Sequence, residues 1–451
     1  KNSEKLAFYF DVEIKKRELL SRLTLAALLA ERGHHVFIGR YININSMKKI
    51  IPKATIVKKS VRFKNITDVN EIINSGFKIV NMEEEGVLVG SLNEYIGADM
   101  PPDAVKLSDR HLLWGDKQTD HLKNLYPELK DKFLNVGNPR LHLWKNRYFG
   151  FHDILTDDIK KEFGEFVLMP SNFAIYTNRR HVKEMFAITG FLEKSENIKI
   201  YEENFKIVEF LFKEFVKAAK EISLKGIKVV FRPHPSESIS KIQEYFSGYE
   251  NIIVRSDHDI APWALASKAV IHNCCTTGLE AAFMKKNTIA YTPNSVSQYK
   301  LNEVDKIAKV ALNVDELLEG IFSPAEFHPS RMNLDGYLID KISLDDILNA
   351  IEGEQTKSFF DLSSVEISNN RYQFNKFCYT SARKLKDYFI FDKVKKQERH
   401  SIREKFPITS ASELKDYLSC IYEYGLLKQP ITCVPVGRNT FYIYCDNSNS
   451  D

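Results

Sequence analysis

The stretch "KLAFYFDVEIKKRELLSRLTLAALLAERGHHVFIGR", Lys5–Arg40, decides the fold. Leu6–Ile14 reads as a first strand. The next segment carries Leu19, Leu20, Leu23, Ala26, Ala27 and Ala30 at helical spacing, with Gly33 placed to stop it. Leu25, Leu28 and Leu29 widen the apolar face, which predicts a well-buried helix. "HVFIGR" is a second strand. A strand–helix–strand opening implies a parallel sheet with helices on its faces.

The alternation continues. "FKIVNM", "HLLWGD" and "LNVGNPR" read as further strands, the last running into a Gly-Asn-Pro turn. A second sheet is expected to begin at "FVLMPSNFA", Phe166–Ala174, followed by an amphipathic helix near Glu203–Leu224. The strands "VVF", "NIIVRS", "AVIHN" and "TIAYTP" follow, with helices at "APWALASK" and "TTGLEAAFMKK". Two α/β halves joined near residues 155–165 describe two facing Rossmann-like domains, in which ligands sit at the carboxyl ends of strands. The expected division is an acceptor-side domain over 1–160, a nucleotide-sugar domain over 161–350, and a helical or mixed extension over 351–451. That extension is partly basic and would pack back on the first domain or on a membrane surface.

Bulk composition narrows the function classes. The chain has 451 residues, 43% hydrophobic and 27% charged, which is globular rather than disordered. A net charge of +4 is too small to argue for nucleic acid. The six cysteines form no CxxC pair and no zinc spacing, which suits a reducing compartment. No apolar run approaches the roughly 20 residues of a membrane span, and the opening residues lack a signal-peptide pattern. A cytoplasmic place is expected. The basic, aromatic stretch Ala382–Phe406 reads first as a solvated helix, and second as a peripheral contact with an anionic membrane.

Chemistry concentrates where strands end. "GIKVVFRPHPSES" runs from a buried strand into a turn bearing Arg232, His234 and Ser236. Pro233 and Pro235 stiffen that turn, and a fixed guanidinium and imidazole suit an anionic ligand such as a phosphate. "VIHNCCTTGLEAAF" places Asn273, Thr276, Thr277 and Gly278 at a helix start, where free N–H groups and hydroxyls attract phosphate. Glu280, one turn in, would accept ribose hydroxyls or serve in capping. Successive strands bring both motifs to one edge of one sheet.

In the first half, "NMEEEG" sets Glu83, Glu84 and Glu85 after a strand. Three adjacent acids repel one another, which raises at least one pKa and suits a general acid or base. Glu13, Lys16 and Arg17 after the first strand would meet an acidic acceptor or the donor's carboxylate. Asn138 and Arg140 of "GNPR", and Ser171 and Asn172 of "PSNFA", add polar groups at other strand ends. Asp257-His258-Asp259 spells a DxD metal motif, yet it precedes "IAPW" and reads better as a helix cap. No metal and no separate cofactor are expected.

Together, "RPHPSE", "HNCCTTGLEAAFMKKNTIAYTP", "GNPR", "EEEG" and "EIKKRELLSRLTLAALLAERGH" resemble the bacterial surface carbohydrate biosynthesis proteins over roughly residues 6–325. The resemblance implies a GT-B glycosyltransferase. The acidic, His-Pro and hydroxyl-pair motifs are also similar to those of sialyltransferases and Kdo transferases that use CMP-activated acidic sugars. That likeness implies that His234, Thr276 and Thr277 hold the CMP phosphate and that Glu84 or Glu85 acts on the acceptor hydroxyl. Thr-Thr stands here where Ser-Ser is frequent. Similar turns in teichoic-acid-type polymerases using CDP-polyols and in UDP-N-acetylglucosamine 2-epimerases keep those activities open, as does a non-catalytic scaffold of polysaccharide assembly. The expected partners are a nucleotide sugar and a glycan or glycolipid acceptor for capsule or lipopolysaccharide.

Overall fold

A computed structural model describes residues 5–40, 51, 53–61, 66–84, 100, 102–188, 195–234, 236–273, 275–293, 308–323, 336, 338, 343–353, 369–370, 409–437 and 439–445. The chain forms two compact units, Lys1–Leu143 with Gly336–Asp451, and Trp144–Asp335. The first division thus falls at Leu143/Trp144 and the second at Asp335/Gly336. The sequence reading put them near 160 and 350.

The first unit is built on eight strands in the order β13-β14-β2-β1-β3-β4-β5-β6. They are β1 Ala7–Asp11, β2 His35–Gly39, β3 Thr55–Lys58, β4 Lys78–Met82, β5 Arg110–Leu113, β6 Phe133–Asn135, β13 Ile431–Gly437 and β14 Thr440–Cys445. From β2 to β6 all neighbours are parallel. β1 and β2 are buried throughout, as parallel strands covered on both faces must be. The helix Lys15–Glu31 follows β1 and is buried on nearly every side. The sheet covers one side of it, and the helices Leu344–Glu352 and Ala411–Glu423 touch it as well. Gly33, at φ 93, ends it as expected, with Gly33 N donating to Ala30 O and His34 N to Leu29 O.

One element departs from the sequence reading. The first strand stops at Asp11 rather than Ile14, because the Glu18 carboxylate accepts the N–H groups of Glu13 (2.8 Å) and Ile14 (3.3 Å) and turns the chain into the helix. The strand read in "LNVGNPR" ahead of its Gly-Asn-Pro turn runs Phe133–Asn135, and Pro139–Lys145 is already helical. The basic segment Ala382–Phe406 lies outside the described residues. Beyond it, β13 and β14 form an antiparallel hairpin, and β14 adds antiparallel to β2.

The second unit carries a six-stranded, wholly parallel sheet ordered β12-β11-β10-β7-β8-β9. Its strands are β7 Phe166–Pro170, β8 Lys228–Arg232, β9 Ile252–Val254, β10 Ala269–His272, β11 Thr288–Tyr291 and β12 Lys309–Ala311. The long helix Ser195–Leu224 packs Phe212, Phe215, Ala219 and Ile222 into a core with Val167, Val229, Phe231 and Ile271. Each unit is therefore a doubly wound α/β layer of Rossmann type. Among the described residues no helix is long and apolar enough to cross a membrane.

Candidate functional site

In the second unit the chain runs β7, β8, β9 to one side and then returns to β10, β11, β12 on the other. The winding reverses between β7 and β10. Such a switch point leaves a crevice outside the carboxyl ends of the strands, where ligands of this fold bind. Ser171 and Asn172 follow β7, His234 and Ser236 follow the adjacent β8, and Asn273 and Thr276–Gly278 follow β10. All of these belong to the site expected from the sequence, and the topology sets them along one sheet edge.

The His-Pro turn is held from behind by a residue that sequence reasoning passed over. Glu237 is buried, and its Oε2 accepts from His234 N at 2.6 Å. Its Oε1 accepts from Ser171 Oγ (2.8 Å), Phe173 N (3.0 Å) and Thr177 Oγ1 (3.3 Å). One carboxylate thus ties the loop after β7 to the turn after β8. Burial pushes its carboxyl above the ordinary value, against those four hydrogen bonds. The final Glu of "HPSE", three residues past the histidine, was the signal.

His234 is exposed, and its tautomer follows from its neighbours. Ser236 N donates to Nδ1 at 3.2 Å, and Ser236 Oγ lies 2.6 Å from the same atom. A backbone N–H can only donate, so Nδ1 is the acceptor and Nε2 carries the hydrogen. The turn therefore presents an N–H donor at its tip.

Arg232 is placed otherwise than the sequence suggested. Its guanidinium donates to the carbonyl oxygens of Asp257 (2.5 Å) and His258, above the Trp263 ring at 5.9 Å. Burial draws it down to about 10, against the pull of Asp257 and Asp259. The cation frames the crevice by anchoring the loop after β9. In the DxD stretch, Asp257 pairs with Arg255 at 2.9 Å. Asp259 stands at the N-cap of Ile260–Ala266, but its side chain makes no capping bond, a correction to the cap reading.

The helix after β10, Thr276–Phe283, opens with Cys275 at its N-cap and no side-chain capping bond. Cys275, a weak acceptor, stands where a Ser, Thr, Asp or Asn cap would be, and the helix start follows the carboxyl end of β10. Cys275 is buried, its thiol is raised by burial, and Sγ donates to Thr277 Oγ1 at 3.4 Å. Gly278 is dictated by packing. A Cβ there would lie 2.4 Å from His272 Nε2. Asn273 Nδ2 donates to Tyr291 O at 2.9 Å, which locks β10 to β11. Glu280 is buried and accepts from the Tyr148 hydroxyl at 2.5 Å.

The first unit has its own switch point, between β1 and β3. Asp11 ends β1, Lys58 ends β3, and their side chains pair at 3.2 Å. Nearby, Glu84 accepts from Arg22 Nη2 at 3.2 Å and lies 3.7 Å from Arg140 Nη1. Both Arg22 and Glu84 are buried, and Arg22 Nη1 also donates to Val57 O at 2.9 Å. The acids expected to repel one another are thus arranged differently: Glu84 is flanked by two guanidiniums, and Glu83 Oε1 accepts from Glu84 N at 3.0 Å. Glu85 lies outside the described residues. The "GNPR" turn is built onto this one, since Asn138 Nδ2 and Trp114 Nε1 both donate to Glu83 O, at 2.8 and 2.7 Å.

Of the cluster after β1, Glu13 pairs with Lys59 at 2.8 Å and Arg17 with Glu18 at 3.4 Å, while Lys16 is exposed. Arg22 was missed in the sequence, and Glu18, read with this cluster as a ligand-binding charge, instead holds the turn into the helix. A charge inside "LLSRLTLAALLA" was the available signal for Arg22, because buried arginines need partners.

No family model and no curated protein matches the chain. Among solved structures it is similar to a UDP-GlcNAc 2-epimerase from Methanocaldococcus jannaschii, at 11% identity and TM-score 0.49, over 77% of this chain and 99% of that one. It is also similar to the wall teichoic acid polymerase TagF, at 12% identity and TM-score 0.43, over 77% of this chain and 88% of that one. A glycosyltransferase from Rickettsia africae ESF-5 matches at 13% identity and TM-score 0.43, over 78% of this chain and 100% of that one.

Proposed function

We propose that this chain is a metal-independent glycosyltransferase of bacterial surface-polysaccharide assembly, drawing on a nucleotide-activated sugar. The donor we favour is a CMP-linked acidic sugar of the Kdo or sialic-acid type. One observation carries the reading: the His-Pro turn and the hydroxyl-bearing helix start lie at the switch point of one Rossmann-type sheet, with donors and no capping side chain. His234 Nε2–H, the Thr276 and Thr277 hydroxyls and the first helical N–H groups would bind the phosphate. They would also stabilise the negative charge it gains as the sugar–oxygen bond breaks. Glu280 would accept the ribose hydroxyls. The acceptor oxygen forms the new bond to the anomeric carbon. Its proton passes to a carboxylate, which we assign to the Glu83–Glu85 turn, with Glu84 held by Arg22 and Arg140 as part of its frame.

The test is a thermal-shift panel of CMP, CDP, UDP and UMP, followed by product analysis. CMP at a hundredfold excess over its Kd should stabilise the protein by about 2.7 kcal/mol. Stabilisation by UDP alone, or by none of the four, removes the CMP assignment. Isomerised sugar nucleotide formed without acceptor would replace transfer by epimerisation.

A further inference from the structure

Residues 147–150 make a turn that L-amino acids avoid. The φ angles are 46 at Arg147, 54 at Tyr148, 55 at Phe149 and 75 at Gly150. Gly150 adopts this freely; each of the other three does so at a cost, because its Cβ crowds the following carbonyl. Three such residues in succession persist only where their surroundings over-determine them, and an outlier of that kind is a pointer to function.

What determines the turn is visible. Phe149 N donates to Asn146 O at 2.9 Å, Phe151 N donates to Tyr148 O at 3.0 Å, and the Phe149 side chain is buried. The Tyr148 ring meets His152 edge-on at 4.8 Å. Its hydroxyl sits between two partners, Trp144 Nε1 at 3.1 Å and Glu280 Oε1 at 2.5 Å. An indole N–H only donates, so the phenol oxygen accepts from Trp144 and sends its own hydrogen to Glu280. Trp144 in turn stacks on Phe283, with ring centroids 6.2 Å apart. Glu280 and Phe283 are three apart and share a face of the switch-point helix. The turn therefore grips that helix twice, once by stacking and once through a hydrogen-bond chain whose direction is fixed.

We propose that the left-handed turn exists to hold the Glu280 carboxylate in one orientation as the acceptor for nucleotide ribose hydroxyls, which makes Tyr148 a positioning residue for sugar recognition in the nucleotide. A carboxylate offers about four lone-pair sites, and Tyr148 takes one from a fixed direction. The inference rests on the nucleotide-binding reading of the second unit, and the experiment separates the two.

Affinities for CMP and 2′,3′-dideoxyCMP, and for the matching uridine pair, are measured calorimetrically on the parent chain, Tyr148→Phe, Glu280→Gln and Glu280→Ala. The parent should prefer the ribonucleotide about tenfold or more, the range of hydrogen bonds to a charged group. Glu280→Gln, which loses the charge and one acceptor oxygen, should cut that preference, and Glu280→Ala should erase it. Tyr148→Phe should cut it to within about threefold and leave the dideoxynucleotide affinity unchanged, which a merely structural loss would not do. Trp144→Phe keeps the stacking and removes the N–H donor, so it should lower the ratio in the same direction. It decides the matter should Tyr148→Phe fail to fold. A parental ratio retained in Tyr148→Phe or in a folded Trp144→Phe overturns the positioning role while leaving nucleotide binding intact. Absence of any binding to the parent overturns the nucleotide reading itself.

Discussion

Replacing Glu84 by Gln separates a framework carboxylate from a catalytic one. Arg22 and Glu84 are 0% and 2% exposed, with a charged contact of 3.2 Å between them. Removing one partner of a buried pair strands the other charge, which costs about 3–5 kcal/mol. The lower end applies here. Arg22 keeps its bond to Val57 O at 2.9 Å, and a glutamine oxygen can still accept from Nη2. About 3 kcal/mol corresponds to a fall in Tm of roughly 6–12 °C for a unit of this size. The less buried pair Lys15–Glu413, at 2.7 Å and with the Glu413 side chain 41% exposed, is the internal control. Glu413→Gln should cost less than about 1 kcal/mol. In a double-mutant cycle, Arg22→Met with Glu84→Met should be less destabilised than the sum of the single variants by about 2 kcal/mol, because no uncompensated charge is left. Differential scanning calorimetry and urea unfolding read both quantities. A Glu84→Gln protein as stable as the parent, within about 1 kcal/mol, refutes the framework role. If that same protein has lost transfer, Glu84 is the reacting group and the assignment of the frame was mistaken.

Other perturbations probe the second unit and the pH response. Gly278→Ala would drive a Cβ to 2.4 Å from His272 Nε2, in a site where both residues are buried. Overpacking of about 1–3 kcal/mol is expected, with a shifted helix start and weakened CMP binding; unchanged stability and affinity would contradict the packing argument. Lys285 closes the same helix at φ 61, donating to Ala282 O at 2.9 Å, the position that Gly33 fills after Lys15–Glu31. Lys285→Gly should therefore stabilise by about 0.5–1 kcal/mol, and a loss of stability would refute the left-handed cost assigned there. Glu237→Gln presents an amide to donors that need an acceptor. It should destabilise by about 2 kcal/mol and weaken nucleotide binding, and calorimetry showing neither would remove its clamping role. Burial lowers His35, His111, His152 and His272 from 6.5 to about 4. The unfolded chain then binds protons that the native one refuses, so stability is full above pH 6.5 and is lost as pH falls toward 4. Urea midpoints should drop clearly between pH 7.5 and 5; a flat profile over that window would contradict the buried neutral histidines.

Local pattern exposed most of the fold because parallel strands buried on both faces read as short apolar runs between helix-period segments. "FVLMP" and "KVVFR" are such runs, and both are strands where expected. β13 and β14 escaped. The pairing of β14 with β2 joins residues some 400 positions apart, and nothing local in "TFYIYC" announces which edge it will meet. The site divides the same way. His234 and Thr276–Gly278 were legible because proline stiffness and a helix start are local chemistry. Arg232 misled because a guanidinium's partner is decided by the loop after the neighbouring strand, and the carbonyls of Asp257 and His258 reach it first. Arg147–Gly150 was invisible. "RYFG" contains one glycine, and the Glu280 carboxylate that Tyr148 meets lies 132 residues further along the chain.

The two switch points differ in charge accounting, and that difference favours the second unit as the phosphate site. At the first unit's edge the described buried cations sit against carboxylates: Lys58 against Asp11, and Arg22 and Arg140 both against Glu84. An incoming phosphate there would have to displace a carboxylate from a buried pair, at a cost of several kcal/mol. Neutral hydroxyls face no such exchange, since they can add to the carboxylates without breaking the pairs. At the second unit's edge the arrangement is the reverse. The His234 ring offers an N–H, the helix after β10 begins without a side-chain cap, and Arg232 is spent on framing. An anion arriving there meets the partial positive charge of a helix start. The distribution of buried charge therefore supports a nucleotide phosphate on the second sheet and a polyhydroxyl ligand on the first. This division follows from ion pairing in each unit taken by itself.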